Sequence, residues 1–177
     1  APSNAAASLG TLVHAVAEEH PHGTPEELTA ALEARIEELG YNLDTWAGRV
    51  ADRHARDIVN NLASYVVGVP GDVTVEQTVS AEVEGVTIRG RMDRLEQVDE
   101  GVRVTDLKTG KSGYTKVSVA ENPQLAAYQM ALLASGEKVA GARIALLGGS
   151  KPQIYDQPAL QGEELERWRE SVREVAL

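Results

Sequence analysis

Asp106 and Lys108 stand two residues apart in the stretch VRVTDLKTGK, residues 102–111. Val102, Val104, Asp106 and Lys108 share one parity, so along a strand they point to one face. The two valines mark that face as the buried one, where a charge is costly unless it is paired or binds a metal. A surface ion pair at the strand's exit would read the same way from these residues alone. Asp93, in IRGRMDRLE, lies on the preceding strand, and a tight turn at 98–101 brings the two strands side by side with both aspartates at one end. Simple alternation groups Asp93 with Arg89 and Arg91, away from Ile88, unless a bulge at Gly90 resets the parity. Two carboxylates with a lysine nearby suit a hard divalent cation, which takes oxygen ligands together with water and substrate phosphate. A solvated Asp93 flanked by arginines is the plainer alternative.

His14 sits among Leu12, Val13 and Val16, with Glu18 one helical turn on. It reads either as a boundary histidine satisfied locally or as a neutral ligand. Gln124 and Tyr128 are four apart and share a helix face, fit to hold a phosphate or base edge or simply to cap the surface. His20, His22 and His54 have polar neighbours and read as surface.

Three helical patterns precede these strands: residues 6–19, a second opened by Thr24, Pro25 and Glu27 in a capping-box arrangement, and a third from Asp44 or Thr45 to Gly68. Three β-like runs follow at 72–83, 85–97 and 101–108, with short connections at Gly85 and 99–101. A helix over about 121–135, strands at 142–149 and 153–157, and a helix from Gln161 complete the order. This is one mixed α/β domain, residues 1–177, with a helical part at 1–68 and a sheet part at 69–177. The abrupt ends read as those of a fragment of a longer polypeptide.

The chain has 177 residues, 42% hydrophobic and 25% charged, which is ordinary globular material. No apolar run is long enough to span a membrane. Cysteine is absent, so disulfides, thiol chemistry and Cys-held metal are excluded within the chain. The net charge of −10 argues against gripping nucleic acid by a broad basic surface, though not against a local site where a cation supplies the positive charge. The segment GGSK at 148–151 is too short for a phosphate-binding loop, which leaves a small-molecule phosphohydrolase with little support.

In order, the segments GTLVHAVAE, GRMDR, DLKTGK (its Asp thirteen residues after that of GRMDR) and QLAAYQ resemble the RecB-like branch of the PD-(D/E)XK nuclease superfamily, from about residue 8 to 135. The texture is most similar to the nuclease domain of an AdnAB-type, UvrD-like helicase–nuclease. The resemblance implies a restriction-endonuclease-like α/β core, a mixed central sheet flanked by helices, behind an N-terminal helical segment. It implies Mg²⁺ or Mn²⁺ held by His14, Asp93, Asp106 and the backbone carbonyl of Leu107. Lys108 would orient the attacking water, and Gln124 and Tyr128 would lie beside the site and help hold DNA. Glu18 would have a supporting role.

The implied activity is DNA phosphodiester hydrolysis, exonucleolytic or single-strand endonucleolytic, in double-strand-break repair. The implied partners are a single-stranded DNA end, a helicase motor in the same polypeptide and a second subunit, in the nucleoid-bearing cytoplasm with no membrane. An inactive nuclease-like scaffold or DNA-channel wall is the competing expectation; a dead copy would be expected to have lost an Asp or the Lys, and here the positions of His14, Asp93, Asp106 and Lys108 are all filled. Met92 stands where the superfamily's nominal proline precedes the first aspartate. Many relatives hold an iron–sulfur cluster through four cysteines, which this chain cannot do.

Overall fold

Thr24 accepts a hydrogen bond from the Glu27 backbone while the Glu27 side chain reaches back, and Pro25 opens the helix. That capping box starts α2 (Pro25–Leu39), which ends on Gly40 at φ 66°, a left-handed conformation glycine adopts at no steric cost. α1 spans Asn4–Glu19 and α3 spans Trp46–Val67, the latter capped by Thr45. Leu12, Val13 and Val16 of α1, Leu28 and Leu32 of α2, and Ile58 and Leu62 of α3 are all buried, as three amphipathic helices sharing one core require. The structure, a computed structural model, describes residues 4–176.

From Val73 the period changes from helical to alternating. β1 (Val73–Val83), β2 (Val86–Val98) and β3 (Gly101–Lys108) form an antiparallel meander, with Val83↔Val86 and Val98↔Gly101 closing the two hairpins. β4 (Val139–Leu146) follows two helices, α4 (Lys116–Ala120) and α5 (Pro123–Ala134). Val102 bonds Lys138 and Leu147 bonds Lys108, the same sense along both chains, so β4 runs parallel to β3. β5 (Gln153–Pro158) completes a five-stranded mixed sheet in the order β1-β2-β3-β4-β5, and α6 (Gly162–Ala176) ends the described chain.

The expected elements are present, with two differences. The helix expected at 121–135 is preceded by α4, a single turn capped by Thr115, too short to carry a visible period. The strand expected at 142–149 begins earlier and ends at Leu146, because Gly148 and Gly149 turn away with the loop that follows.

The chain groups into two units, each assembled from separated segments. One gathers α1–α3, through Pro70, with Leu107–Gly113 and Ala145–Gln153. The other gathers Gly71–Asp106, Tyr114–Ile144 and the chain from Ile154 on. In the second, Val79, Met92, Leu125, Tyr128 and Ile144 belong to one apolar cluster. A smaller cluster of Val83, Ala126, Met130 and Leu160 receives Leu165 and Trp168 of α6. Gln129 and Gln157, both fully buried, bridge these layers: Gln129 binds the Gln157 side chain, the Pro158 carbonyl and the Leu160 amide, and Gln157 takes the orphan carbonyls at the end of α4. No helix is long and apolar enough to cross a membrane among the described residues.

Candidate active site

The β2–β3 register pairs Arg94 with Thr105, and Asp93 and Asp106 are the next residues along the two strands. The paired register ends there, so the two aspartates stand one step beyond its last pair, each at the end of the ladder on its own strand. Two carboxylates so placed repel each other, and a cation between them offsets that cost. Both are half-buried.

The bulge considered at Gly90 is not there. Gly90 pairs regularly with Val79, and the register runs unbroken through it. Gly90 serves another purpose: a Cβ added there would fall 2.2 Å from Cε1 of Tyr128, so the bare backbone is the seat of that ring. Asp93 therefore keeps the parity of Arg89 and Arg91, and the Asp106 side of β3 faces the same way. The irregularity lies on β1 instead. Pairing skips from Val75↔Arg94 to Gln77↔Met92, leaving out Glu76 opposite Asp93, and Glu76 has φ 50°. A non-glycine residue held there stores about 1–3 kcal/mol, a cost found most often beside functional sites.

Tyr128 is only 8% exposed. Its hydroxyl accepts from Gln124 Nε2 at 3.0 Å and donates to the Arg91 carbonyl at 3.2 Å. The pair thus shares a helix face as expected, and the Tyr128 hydroxyl ties α5 to β2 two residues before Asp93. Gly90→Ala is expected to lose about 1–3 kcal/mol of stability through overpacking against Tyr128, measured by urea unfolding, with Tyr128→Leu in the same background recovering part of it.

The strand face opposite the aspartates hides a charged network that the sequence pattern concealed. Arg94 and Glu96, which share parity with Met92, are fully buried. Glu96 accepts from Arg94 Nε at 3.0 Å, from Arg103 Nε at 3.0 Å and from the Thr105 hydroxyl at 2.5 Å. Alternating charges normally mark a solvated face; here they lock β2 to β3 immediately behind Asp93 and Asp106.

In the other unit, His14 on α1 is half-buried, with Nδ1 2.7 Å from the Gly10 carbonyl and Nε2 2.9 Å from the Leu107 carbonyl. A neutral imidazole has one N–H, so it satisfies only one of these oxygens. With the proton on Nδ1, Nε2 and the Leu107 oxygen are two acceptors 2.9 Å apart. Two ligands at right angles on an octahedral ion with bonds of ~2.1 Å lie about 3 Å apart, so this pair has the spacing of neighbouring ligands. Among the described residues no group of three or more His, Cys, Asp or Glu side chains forms a ready-made cage. The aspartates belong to one unit and the imidazole and its carbonyl to the other, Leu107 directly following Asp106 in the chain. Glu18 is exposed on the same helix.

The turn after Lys108 is held from behind. Leu147 N–H donates to the Lys108 carbonyl, and Gly148 N–H donates to that of Gly110 at 2.9 Å. A Cβ on Gly148 would meet the Thr109 and Gly110 carbonyl oxygens at 2.3 Å, so the glycine of GGSK is a packing residue. Asn61 of α3, buried, then donates to the carbonyls of Leu147 at 2.7 Å and Gly149 at 2.9 Å. Sequence reasoning missed Asn61; its one signal is an amide among the buried positions of an otherwise apolar helix face. Asn61→Leu is expected to cost about 1–3 kcal/mol, the range for stranded buried polar groups, read as a fall in Tm.

A mixed five-stranded sheet with flanking helices, an aspartate on each of two neighbouring strands and a D-x-K step is a restriction-endonuclease-like arrangement. The family model of the PD-(D/E)XK nuclease superfamily matches residues 1–177, and the chain belongs to that superfamily. A crystal structure from Eubacterium rectale, of a protein provisionally named an exonuclease, is similar at 14% identity and a TM-score of 0.51. It covers 94% of this chain, which spans 64% of that one, and the likeness concerns the fold. A second solved structure, SSO0001, is 16% identical over 93% of this chain and 84% of its own, with a TM-score of 0.39 that carries no argument. Among curated proteins no relative is found.

Proposed function

We propose that the chain is a metal-dependent deoxyribonuclease module, hydrolysing DNA phosphodiesters as an exonuclease or single-strand endonuclease. The observation that carries this is the place of Asp93 and Asp106 one step beyond the last β2–β3 pair, Arg94 with Thr105, with the carbonyl of the next residue, Leu107, 2.9 Å from His14 Nε2. Asp93, Asp106, the Leu107 carbonyl and His14 would hold Mg²⁺ or Mn²⁺. Such an ion, when bound, lowers the pKa of water and offsets charge on the scissile phosphate. Superfamily membership supports a divalent metal in general.

The chain's own residues supply the rest. The carboxylates bring negative charge to one strand pair and keep it fixed, because Glu96, Arg94 and Thr105 immobilise the backbone behind them. Lys108 places a cation two residues from Asp106, where it orients the attacking water and offsets the phosphate. Its turn is braced by Leu147 and Gly148. Gln124 and Tyr128 hold β2 in place beside DNA. The resemblance in DLKTGK and QLAAYQ supports a RecB-like, AdnAB-type setting: DNA fed as a single strand by a helicase motor of the same polypeptide, with a second subunit, in the cytoplasm during break repair.

The test is cleavage of end-labelled single-stranded DNA. Cleavage is expected with Mn²⁺ or Mg²⁺ and none in EDTA, with recovery when metal is restored. Protein that neither cleaves nor binds Mn²⁺ by calorimetry would be the inactive scaffold instead.

A further inference from the structure

Beyond Asp93, the same parity of β2 carries Arg91, Arg89 and Thr87, and their partners on β1 are Thr78, Ser80 and Glu82. Cross-strand partners stand side by side on one face of the hairpin. All six are exposed, Arg91 at 64%. The opposite parity, with Val79 and Met92 buried in the cluster that contains Tyr128 of α5, is the core side. The hairpin is therefore two-sided: an apolar face packed in the core and an open face of guanidinium and hydroxyl groups that begins at the carboxylate pair. At ~3.3 Å per residue, Arg89 lies about 13 Å along β2 from Asp93.

The charges on this face are informative. Most arginines of this acidic chain reach a carboxylate, as Arg35, Arg56, Arg143 and Arg167 do. Arg89 reaches none among the described residues. Arg91 is tied by its Nε to Glu76 Oε2 at 2.5 Å, with its side chain 64% exposed. Glu82 sits at the far end, toward the hairpin turn. The positive groups are nearest the aspartates, flanked by Thr78 and Ser80, which donate hydrogen bonds without adding charge. No aromatic and no amide side chain stands among the six, so the face has nothing to stack a base or read its edge.

We infer that the open face of the β1–β2 hairpin is a track for the phosphate backbone of a single-stranded polynucleotide, in which Arg89 and Arg91 neutralise phosphates and Thr78 and Ser80 donate to them. This rests on the nuclease reading for its purpose, though not for its test. The track accounts for how a chain of net charge −10 holds a polyanion: a narrow local strip in place of a basic surface. Binding along it is insensitive to sequence.

The experiment is fluorescence anisotropy of a labelled oligothymidylate with the 177-residue chain in EDTA, across a series of salt concentrations. Each phosphate contact contributes about −0.7 to the slope of log K against log salt for a single strand. Arg89→Ala is expected to weaken binding and to make the slope shallower by about 0.7, and Arg89→Ala with Arg91→Ala by about 1.4. Arg89→Lys should restore most of the slope. Arg49→Ala and Arg53→Ala on α3, removing equal charge elsewhere, should leave it unchanged. The track is wrong if wild type does not bind, if Arg89→Ala keeps the wild-type slope, or if the α3 variants lose as much. Binding with the expected slopes but without metal-dependent cleavage would keep the track and remove the nuclease reading. Cleavage with an unaffected KM and slope in Arg89→Ala would do the reverse.

Discussion

Asp106→Asn should abolish cleavage, lowering kcat by roughly a thousandfold or more, the scale on which losing a fixed electrostatic group aimed at the transition state is felt. The substitution conserves volume and leaves the β3 backbone intact, so the fold should survive. Its charge is what changes: of the two carboxylates beyond the last β2–β3 pair, only that of Asp93 is left. A second readout separates loss of metal from loss of fold. A cation that binds only the native state raises Tm as its concentration exceeds Kd. Wild type should therefore gain stability with Mn²⁺, and Asp106→Asn should lose most of that gain while its Tm in EDTA stays within a few degrees of wild type. Full activity in the variant would remove Asp106 from the chemistry. A variant unfolded in EDTA would point to a structural role instead.

The second large effect is on stability. Glu96→Gln keeps the shape of the side chain and deletes the one carboxylate that holds Arg94, Arg103 and Thr105 together. The Arg94 side chain is 0% exposed and that of Arg103 17%, so each loses its pairing with the Glu96 carboxylate where water replaces it poorly. Breaking a buried pair from one side costs about 3–5 kcal/mol, which for a chain of this size lowers Tm by roughly 10 °C. The network need not be a net stabiliser to give this result. Replacing Arg94 and Glu96 together by Met and Leu should return most of the loss, because an apolar pair of similar volume is often as good as a buried ion pair. Urea unfolding of the single and double variants checks both statements. A loss below about 1 kcal/mol for Glu96→Gln would mean that water reaches the arginines and that the network does not lock the strands.

The parts legible in the sequence were those whose cause is local. Thr24, Pro25 and Glu27 start α2 because capping groups act within one turn, and the hairpin connections at Gly85 and 99–101 fall where short turns must. The D-x-K step marked β3 because charge breaks an apolar alternation. What stayed hidden depends on residues distant in the chain. Arg94 and Glu96 look solvated by alternation, and only the facing Arg103 and Thr105 make their burial affordable in energy. Gly90 leaves a bulge open when read from its own strand, whereas its bareness answers to Tyr128, 38 residues on, and its register is regular. Asn61 carries no signal of its role within α3, since its carbonyl partners lie at 147 and 149.

Those distant partners bear on the order in which the protein is made. His14 finds the Leu107 carbonyl 93 residues later, and Asn61 finds its two acceptors 86 and 88 residues later. Helices α1–α3 leave the ribosome first, yet the segments that complete their unit end at Gln153. At ~5–20 residues per second, the helical trio waits on the order of ten seconds for its polar anchors. Neither unit is a contiguous stretch of gene, so neither can be cut out for separate expression. A nascent chain halted before residue 145 would hold its three helices with Asn61 still lacking the acceptors it has in the finished fold, a form open to chaperones and proteases alike.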